Sequence, residues 1–425
     1  MPNNSGPDAM FSQVKQRFIV IGLDDHPAPY LPPQVLELIR RGRIFSGGLR
    51  HRAIVSHLLP PGAEWIPVTV PIDAVFEQYE ATFSRLKEGE SIVVFASGDP
   101  LFFGLANTIR RKLPEARLQV YPAFNSLQAL AHRLGMPYDD MRNVSLTGRP
   151  WSALDRALIE RAPLIGILTD RQHTPDAIAG RLIDYGYTLY YMYVGECLGH
   201  PEREHVRRLS LTEAATTGFD RPNCVLLRAE QADGSPCAPT PRPFGIPDTA
   251  FALLDGRARM ITKAPIRLLT LQALELSRRH VFWDVGFCTG SVSIEARLQF
   301  PHLEVTAFEI RPEGEDLMRT NSRRLGAPGI TTLIGDFLLA DTAALPRPDA
   351  VFIGGHGGRL GEVVERITRV LLPGGCVVFN SVTADSRATF VRAAQAHGLT
   401  PEPDTRIALN DYNPITILKA RKAPI

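Results

Sequence analysis

Apolar residues in the N-terminal half of the chain gather in short runs separated by stretches with helical spacing. The runs predict strands at residues 18–22, 44–46, 91–96, 119–121, 164–168, 188–194 and 224–227. Helical spacing lies between them, for example at 33–41 and 103–113. This alternation predicts an α/β fold.

The C-terminal half alternates more regularly. Strands are predicted at 281–285, 304–309, 330–334, 350–353 and 376–380, and helices at 265–277, 291–299, 312–325, 360–371 and about 385–397. The final segments, 404–408 and 415–420, are typical of an antiparallel pair that closes the sheet. The pattern predicts a nucleotide-binding type of α/β domain.

A change of composition separates the halves. Residues 229–248 are rich in proline, glycine and small polar residues, as an inter-domain linker would be. We therefore predict a disordered tail at 1–15, a first domain at 16–230, a linker at 231–246 and a second domain at 247–425.

Composition excludes several classes of protein. The formal net charge of +2 is too small to indicate a nucleic-acid partner. The five cysteines are scattered without a C-x-x-C pair, so we expect a reducing cytoplasm and neither a disulfide framework nor a metal site. No uninterrupted apolar run approaches 18 residues and no export signal is evident, so no membrane association is expected.

A glycine-containing loop marks the junction of a strand and a helix in the second half. It runs from Asp284 through Gly286 and Thr289 to Gly290, and its glycines permit close approach of backbone to a ligand. Glu309 follows 19 residues later, at the end of the next strand, where a carboxylate can bind both hydroxyls of a ribose. The spacing predicts a nucleoside-containing ligand at the carboxyl edge of the sheet.

The identity of that ligand has two main alternatives, a dinucleotide or S-adenosylmethionine. Cys288 occupies the middle position of the dinucleotide glycine pattern, and the charge of Asp284 suits an ammonium group better than a pyrophosphate. Gly335 and Asp336 follow the third strand, where a carboxylate can bind an adenine amino group. These features favour S-adenosylmethionine, with an ordinary β–α turn as the remaining interpretation.

Four glycines surround one histidine after the fourth strand. Residues 354–358 read Gly-Gly-His-Gly-Gly and could form a floor for a bulky ligand, with Gly355 and Gly357 beside His356. The alternative is a flexible loop with a solvent-exposed histidine. The Asn/Asp-Pro-Pro-aromatic motif of base methylases is absent from this position, which disfavours nucleic acid as the substrate.

Three polar clusters in the first half are compatible with ordinary turns as well as with ligand contacts. One is residues 97–104, which include Ser97, Gly98, Asp99 and Phe102. The second is a turn in which Asn125 or Ser126 caps a helix, and the third is residues 195–202.

Taken in order, these motifs resemble two known families. Residues 97–104, 122–134, 144–149, 196–202 and 222–223 resemble the tetrapyrrole (corrin and sirohaem) methylases. Residues 261–267, 284–290, 309, 335–336, 354–358 and 373–375 resemble the methyltransferase-decarboxylase module of corrin synthesis. The resemblance implies a two-lobed tetrapyrrole methylase fold followed by a Rossmann-like, seven-stranded class I methyltransferase domain.

The resemblance also implies an activity. Fused enzymes of this kind methylate precorrin-6B or its cobalt form at C5 in the first module, and methylate C15 and decarboxylate the C12 acetate in the second. The cofactor would be S-adenosyl-L-methionine, the partner a small tetrapyrrole, and the assembly a homo-oligomer. Cobalt, if present, would belong to the substrate.

Site residues follow from the same resemblance. We expect cofactor contacts from Ser97, Gly98, Asp99, Phe102, Ser126, Asp284, Gly286, Thr289, Gly290, Glu309, Gly335 and Asp336. Substrate carboxylates would meet Lys263, Arg267 and Arg359 over the glycines of the loop, with His356 as a proton donor. The first strand departs from the family, because Gly22-Leu23-Asp24-Asp25 replaces a Gly-x-Gly-Pro turn.

Three other functions remain open at this point. A dinucleotide-dependent oxidoreductase would bind NADH and no S-adenosylmethionine. A methyltransferase acting on RNA or on another small molecule is the second, and RNA affinity would be sensitive to salt. A binding scaffold without catalytic activity is the third, which the cofactor-like features in both halves disfavour.

Overall fold

The computed structural model describes residues 16–87, 89–231, 235, 237, 242, 244–410 and 413–424. The chain divides into two compact units: the first runs to Arg149 and includes Leu164–Ala179 and Tyr191–Arg228, and the second contains Pro150–Pro163, Gly180–Tyr190 and the chain from Ala229 onward. The tail predicted at 1–15 and part of the predicted linker lie outside the described residues.

The strands before residue 230 form two sheets. They are β1 (Arg17–Leu23), β2 (Ile44–Gly47), β3 (Glu64–Pro67), β4 (Ile92–Ser97), β5 (Arg117–Tyr121), β6 (Arg142–Ser145), β7 (Leu164–Leu168), β8 (Tyr190–Glu196), β9 (His205–Leu209) and β10 (Asn223–Ala229). One sheet is parallel, in the order β3-β2-β4-β1-β5. The other is mixed, in the order β6-β7-β10-β8-β9.

Eight α-helices are described in this part of the chain. They are α1 (Pro33–Arg41), α2 (Leu49–Val55), α3 (Asp73–Phe83), α4 (Leu105–Lys112), α5 (Ser126–Leu134), α6 (Ser152–Ile159), α7 (Pro175–Asp184) and α8 (Leu211–Ala214). Successive residues of β1 enter opposite cores: Phe18 packs with α3 and α4, and Ile19 packs with α1 and α2. Because both faces of the parallel sheet are buried, its central strands are continuous apolar runs.

The second unit is built on a mostly parallel sheet. Its strands are β11 (Val281–Val285), β12 (Glu304–Glu309), β13 (Ile330–Ile334), β14 (Ala350–Ile353), β15 (Cys376–Ser381), β16 (Leu399–Pro401), β17 (Thr405–Ile407) and β18 (Ile415–Lys422). Its helices are α9 (Ala264–Leu274), α10 (Ser291–Gln299), α11 (Glu313–Leu325), α12 (Leu360–Val370) and α13 (Ala384–Ala396).

This sheet has the order β13-β12-β11-β14-β15-β18-β16, with β17 also paired to β18. β18 runs antiparallel to β15, β16 and β17, so the predicted antiparallel closure is confirmed. The described sheet has eight strands where seven were predicted, because β16 and β17 each pair with a different part of β18. Since β11, β12 and β14 are parallel, their following loops lie at one edge.

Three strands of the first half were not predicted, and each lacks a continuous apolar run. β3 contains a proline and is mostly half-buried, β6 begins with two exposed residues, and β9 is a largely exposed edge strand with two arginines. Helix α9 ends three residues earlier than predicted, because Glu275 adopts a left-handed conformation at φ 58°. Within the part of the chain that the structure describes, no helix is long and apolar enough to cross a bilayer.

Candidate functional site

A cavity of ≈ 570 Å³ lies in the first unit, which we call the first site. Its volume is in the range of small-molecule sites. Of the predicted residues, Ser97, Gly98, Phe102 and Ser126 line it. Asp99 is not among the lining residues. Its carboxylate accepts the backbone N–H of Leu101 at 2.8 Å, which shapes the loop after β4.

Close backbone packing forms the floor of the first site. A Cβ on Gly22 would lie 1.9 Å from the carbonyl oxygen of Gly98. Gly98 has φ +57°, and a Cβ there would lie 2.8 Å from the Cα of Asn125. The ends of β1, β4 and the start of α5 therefore meet at a distance that only glycine permits.

Helix α5 begins with a capping box. Its N-terminal cap is Asn125, one of the two residues that were predicted to cap this helix. The Asn125 side chain accepts the N–H of Gln128 at 3.0 Å, and the Gln128 side chain accepts the N–H of Asn125 at 3.1 Å. This cap fixes the first turn, so Ser126 is held where it lines the cavity.

Two basic residues at the first site were missed by the sequence analysis. Arg50 and His51 lie on α2, and both line the cavity. Arg50 forms an ion pair with Asp25 at 3.1 Å and donates to the Ser97 hydroxyl at 2.8 Å. The Nε2 atom of His51 lies 3.0 Å from the same hydroxyl. The available signal was their position directly after β2, at the carboxyl edge of a parallel sheet.

The second site lies at the carboxyl edge of the sheet of the second unit, where two loops touch. Gly286 has φ +76°, and a Cβ there would lie 2.5 Å from the backbone nitrogen of Gly355. The N–H of Gly354 donates to the carbonyl of Val285 at 2.8 Å, which joins the loops after β11 and β14. The loops predicted to bind the cofactor and the substrate are thus adjacent.

Asp284 lies beneath the loop and is fully enclosed. Its Oδ2 atom accepts a hydrogen bond from Ser293 at 2.5 Å, while Oδ1 has no hydrogen-bond partner among the described residues. The carboxylate that we predicted to attract an ammonium group is therefore enclosed and not part of the protein surface. The pKa of Asp284 is raised to about 7, mainly by burial; hydrogen bonds from Ser293 oppose this rise, and the nearby charge of Glu309 adds to it.

The raised pKa of Asp284 makes the stability of the protein depend on pH. Its folded pKa lies above the ordinary value of 3.8, so the native state retains a proton that the unfolded chain loses. The free energy of unfolding should therefore fall as pH rises from about 4 to 7, and stay level above that window. Asp284→Asn, which cannot ionise, should remove ~2–4 kcal/mol of this fall.

Urea titrations of both proteins between pH 4 and 8 measure this effect as a difference. Other titrating groups are common to both proteins and cancel. A difference between wild type and Asp284→Asn that is constant with pH would contradict the assignment.

Two backbone N–H groups hold the carboxylate of Glu309 in place. One carboxylate oxygen accepts the N–H of Cys288 at 2.8 Å, and the other accepts the N–H of Arg311 at 3.1 Å. Cys288 has φ +53° at the position where a dinucleotide motif has glycine. Carboxylate oxygens have further acceptor capacity, so Glu309 can still receive ribose hydroxyls.

The start of α10 completes this loop. Gly290 is the N-terminal cap of the helix in a left-handed conformation, with φ +74°. The side chain of Thr289 is enclosed, and its hydroxyl lacks a hydrogen-bond partner within the described part of the chain.

Asp336 and Arg359, which were predicted to bind different ligands, form an ion pair with each other. Asp336 accepts a hydrogen bond from Arg359 at 2.6 Å and from the N–H of Leu338 at 3.0 Å. The Arg359 guanidinium lowers the pKa of Asp336. Gly335, with φ +139°, precedes this pair. An adenine amino group at Asp336 and a substrate carboxylate at Arg359 would therefore lie next to each other.

The structure contradicts the substrate role predicted for Arg267. Its side chain is 0% exposed, and it forms ion pairs with Glu295 and Asp248, each at 3.2 Å. These internal partners leave no surface from which it could reach a ligand. Lys263 is mostly buried, and its ammonium group donates to the carbonyl of Ala258 at 2.8 Å.

His356 lies at the second site with one nitrogen turned inward. Its ring packs edge-on against Phe379 at a centroid distance of 5.7 Å. The Nδ1 atom is enclosed and has no hydrogen-bond partner in the residues described. Burial lowers the pKa of His356, which favours the neutral ring at pH 7.

Over the described ranges, no three side chains of histidine, cysteine, aspartate or glutamate are grouped so that they could hold a metal ion.

Models of two protein families match successive parts of the chain. The model of the tetrapyrrole (corrin/porphyrin) methylases matches residues 18–215, and that of a precorrin methyltransferase domain matches residues 254–423. A precorrin-6Y C(5,15)-methyltransferase [decarboxylating] from Sinorhizobium sp is 30% identical over 88% of this chain and 86% of its own length.

Two further proteins match parts of the chain. A cobalt-precorrin-6B C(15)-methyltransferase (decarboxylating) from Salmonella typhimurium is 39% identical over 34% of this chain and 71% of its own length. The crystal structure of a precorrin-6y C5,15-methyltransferase from Geobacter metallireducens has 34% identity and a TM-score of 0.39, over 42% of this chain and 98% of its own.

Proposed function

Because the chain belongs to the family of decarboxylating precorrin-6Y C(5,15)-methyltransferases, we propose that it acts on a precorrin-6B-type tetrapyrrole in cobalamin biosynthesis. It methylates C5 at the first site. At the second site it methylates C15 and removes CO2 from the C12 acetate. The match of a tetrapyrrole methylase model to residues 18–215 and of a precorrin methyltransferase model to residues 254–423 supports this division of labour.

We assign S-adenosyl-L-methionine as the cofactor of both sites. The match to methyltransferase families over both parts of the chain carries this assignment. At the second site, Gly286 and Gly355 bring the loops after β11 and β14 together at a distance that only glycine permits. The enclosed Oδ1 atom of Asp284, which has no partner among the described residues, leaves an acceptor position unused beneath this loop. The bound cofactor would supply an electrophilic methyl group.

The residues of the second site would hold this ligand in separate ways. Glu309 would accept the ribose hydroxyls while its bonds to Cys288 and Arg311 keep its carboxylate in place. Asp336 would accept an adenine amino group beside the loop. The side chain of Cys288, where the dinucleotide motif has glycine, and the carboxyl group of Asp284 beneath it disfavour the pyrophosphate of a dinucleotide.

The protein's contribution to carbon methylation would be mainly positioning. An electron-rich ring carbon aligned with the methyl group needs no nucleophilic side chain. Arg359 would bind a substrate carboxylate over Gly355 and Gly357. His356 would donate a proton to the carbon that loses CO2. Burial lowers the pKa of its imidazole.

The proposal is tested by incubating the full chain with S-adenosylmethionine and a precorrin-6B-type tetrapyrrole and measuring product mass. We expect a gain of two methyl groups and the loss of one CO2, and no change when the cofactor is omitted. Unchanged mass in a protein that binds S-adenosylmethionine would exclude this substrate. RNA methylation would then be the next activity to assay.

A further inference from the structure

The hydroxyl of Ser97 has an unusual set of partners at the first site. Its oxygen receives a hydrogen bond from Arg50 at 2.8 Å and lies 3.0 Å from Nε2 of His51. An arginine side chain can only donate. Whether His51 donates to Ser97 or accepts from it depends on which ring nitrogen carries the proton. The contact made by Nδ1, the other ring nitrogen, decides this.

His51 is held in one tautomer by the backbone. The N–H of Gly48 points at Nδ1 of His51 at 3.3 Å, so that nitrogen must accept. Burial, with the neighbouring Arg50, lowers the pKa of His51 to about 4, so the ring is neutral at pH 7. The single ring proton is therefore on Nε2, which donates to Ser97.

The donor count leaves one free hydrogen. A serine hydroxyl has two acceptor positions and one donor. Arg50 and His51 occupy both acceptor positions of Ser97, so its hydrogen must point elsewhere. No acceptor for it is found in the described part of the chain, and Ser97 is an exposed residue that lines the cavity.

We infer that the Ser97 hydroxyl donates to a carboxylate of a ligand bound in this cavity, and that Arg50 and His51 are positioning residues that aim its hydrogen. The inference rests on the proposed function, under which two ligands carry carboxylates: the amino-acid end of the cofactor and the side chains of the tetrapyrrole. The guanidinium of Arg50 polarises the hydroxyl toward an anion. Asp25, which also lines the cavity, has its charge paired with Arg50.

The first measurement is calorimetric binding to the full chain. S-adenosylhomocysteine and 5′-methylthioadenosine are compared, because the second lacks the amino-acid carboxylate. The second measurement is the KM of C5 methylation for each substrate. Contributions from the second site are common to all variants and cancel in the comparison.

We expect Ser97→Ala to weaken S-adenosylhomocysteine binding, or to raise the KM for the tetrapyrrole, by about 10- to 100-fold, because one hydrogen bond to a carboxylate is lost. Arg50→Gln and His51→Leu keep the hydroxyl but release its orientation, so the same parameter should change by about 3- to 10-fold. His51→Gln retains a donor near Nε2 and should restore binding. Arg111→Gln, a loss of one charge on α4, is the matched control and should have no effect.

The source of the carboxylate is given by which parameter changes. Weaker S-adenosylhomocysteine binding with unchanged methylthioadenosine binding assigns it to the cofactor. A raised KM for the tetrapyrrole with unchanged S-adenosylhomocysteine binding assigns it to the substrate.

The inference is overturned if Ser97→Ala leaves both binding constants and both KM values unchanged, or if it weakens the binding of both nucleosides equally, as a structural role would. Failure of the proposed function looks different: the wild-type chain would then methylate no tetrapyrrole, whatever Ser97 does to binding. A wild-type chain that binds neither nucleoside would overturn both.

Discussion

Gly286→Ala is expected to abolish C15 methylation and decarboxylation, with a loss of at least about 100-fold in both. The added Cβ would lie 2.5 Å from the nitrogen and 2.6 Å from the Cα of Gly355. These are backbone atoms, so relief requires one of the two loops to move. Alanine at this position would also have to keep φ +76°, a backbone conformation that residues with a side chain rarely adopt. The measurement is the release of CO2 together with product mass.

A matched control separates the clash from the backbone conformation. Gly374 has φ +72°, but a Cβ there would meet nothing within 4 Å. Gly374→Ala should therefore share the conformational cost of about 1–2 kcal/mol without affecting catalysis. If Gly286→Ala and Gly374→Ala reduced CO2 release equally, the close contact between the two loops would not be required for activity at the second site.

The elements of the second unit could be predicted from the sequence because its central strands are buried on both faces. Such strands are continuous apolar runs, and the glycines that end them are visible as loops. β9 could not be predicted in this way. It is an exposed edge strand held by backbone pairing to β8, and its arginines suggest a loop.

Local motifs located much of the candidate site, but pairing between distant residues was not visible. Gly286 and Gly98 were found because a tight turn needs glycine. Arg50 and His51 meet Ser97 across 47 and 46 residues of sequence, and Arg267 meets Glu295 across 28. A sequence shows which residues carry charge, but only the fold shows whether that charge already has a partner.

Arg267→Met is expected to lower the free energy of unfolding by about 3–5 kcal/mol, because it leaves the fully buried Glu295 without its cation. The guanidinium also donates to the carbonyl of Thr262 at 2.8 Å, and this bond is lost too. Thermal unfolding should shift by roughly 6–20 °C. Arg278→Met is the control. That side chain is 72% exposed in its pair with Glu275, so its loss should cost less than about 1 kcal/mol.

A double variant tests whether the unpaired charge is the cause. Glu295 also accepts the backbone N–H of Ile246 at 2.8 Å, so glutamine is the replacement that keeps an acceptor while removing the charge. Arg267→Met combined with Glu295→Gln should therefore be more stable than Arg267→Met alone. The substrate role predicted from the sequence gives the opposite result: unchanged stability and a KM for the tetrapyrrole raised about tenfold. That outcome would return Arg267 to the substrate-binding residues and require the enclosed geometry of this ion pair to open.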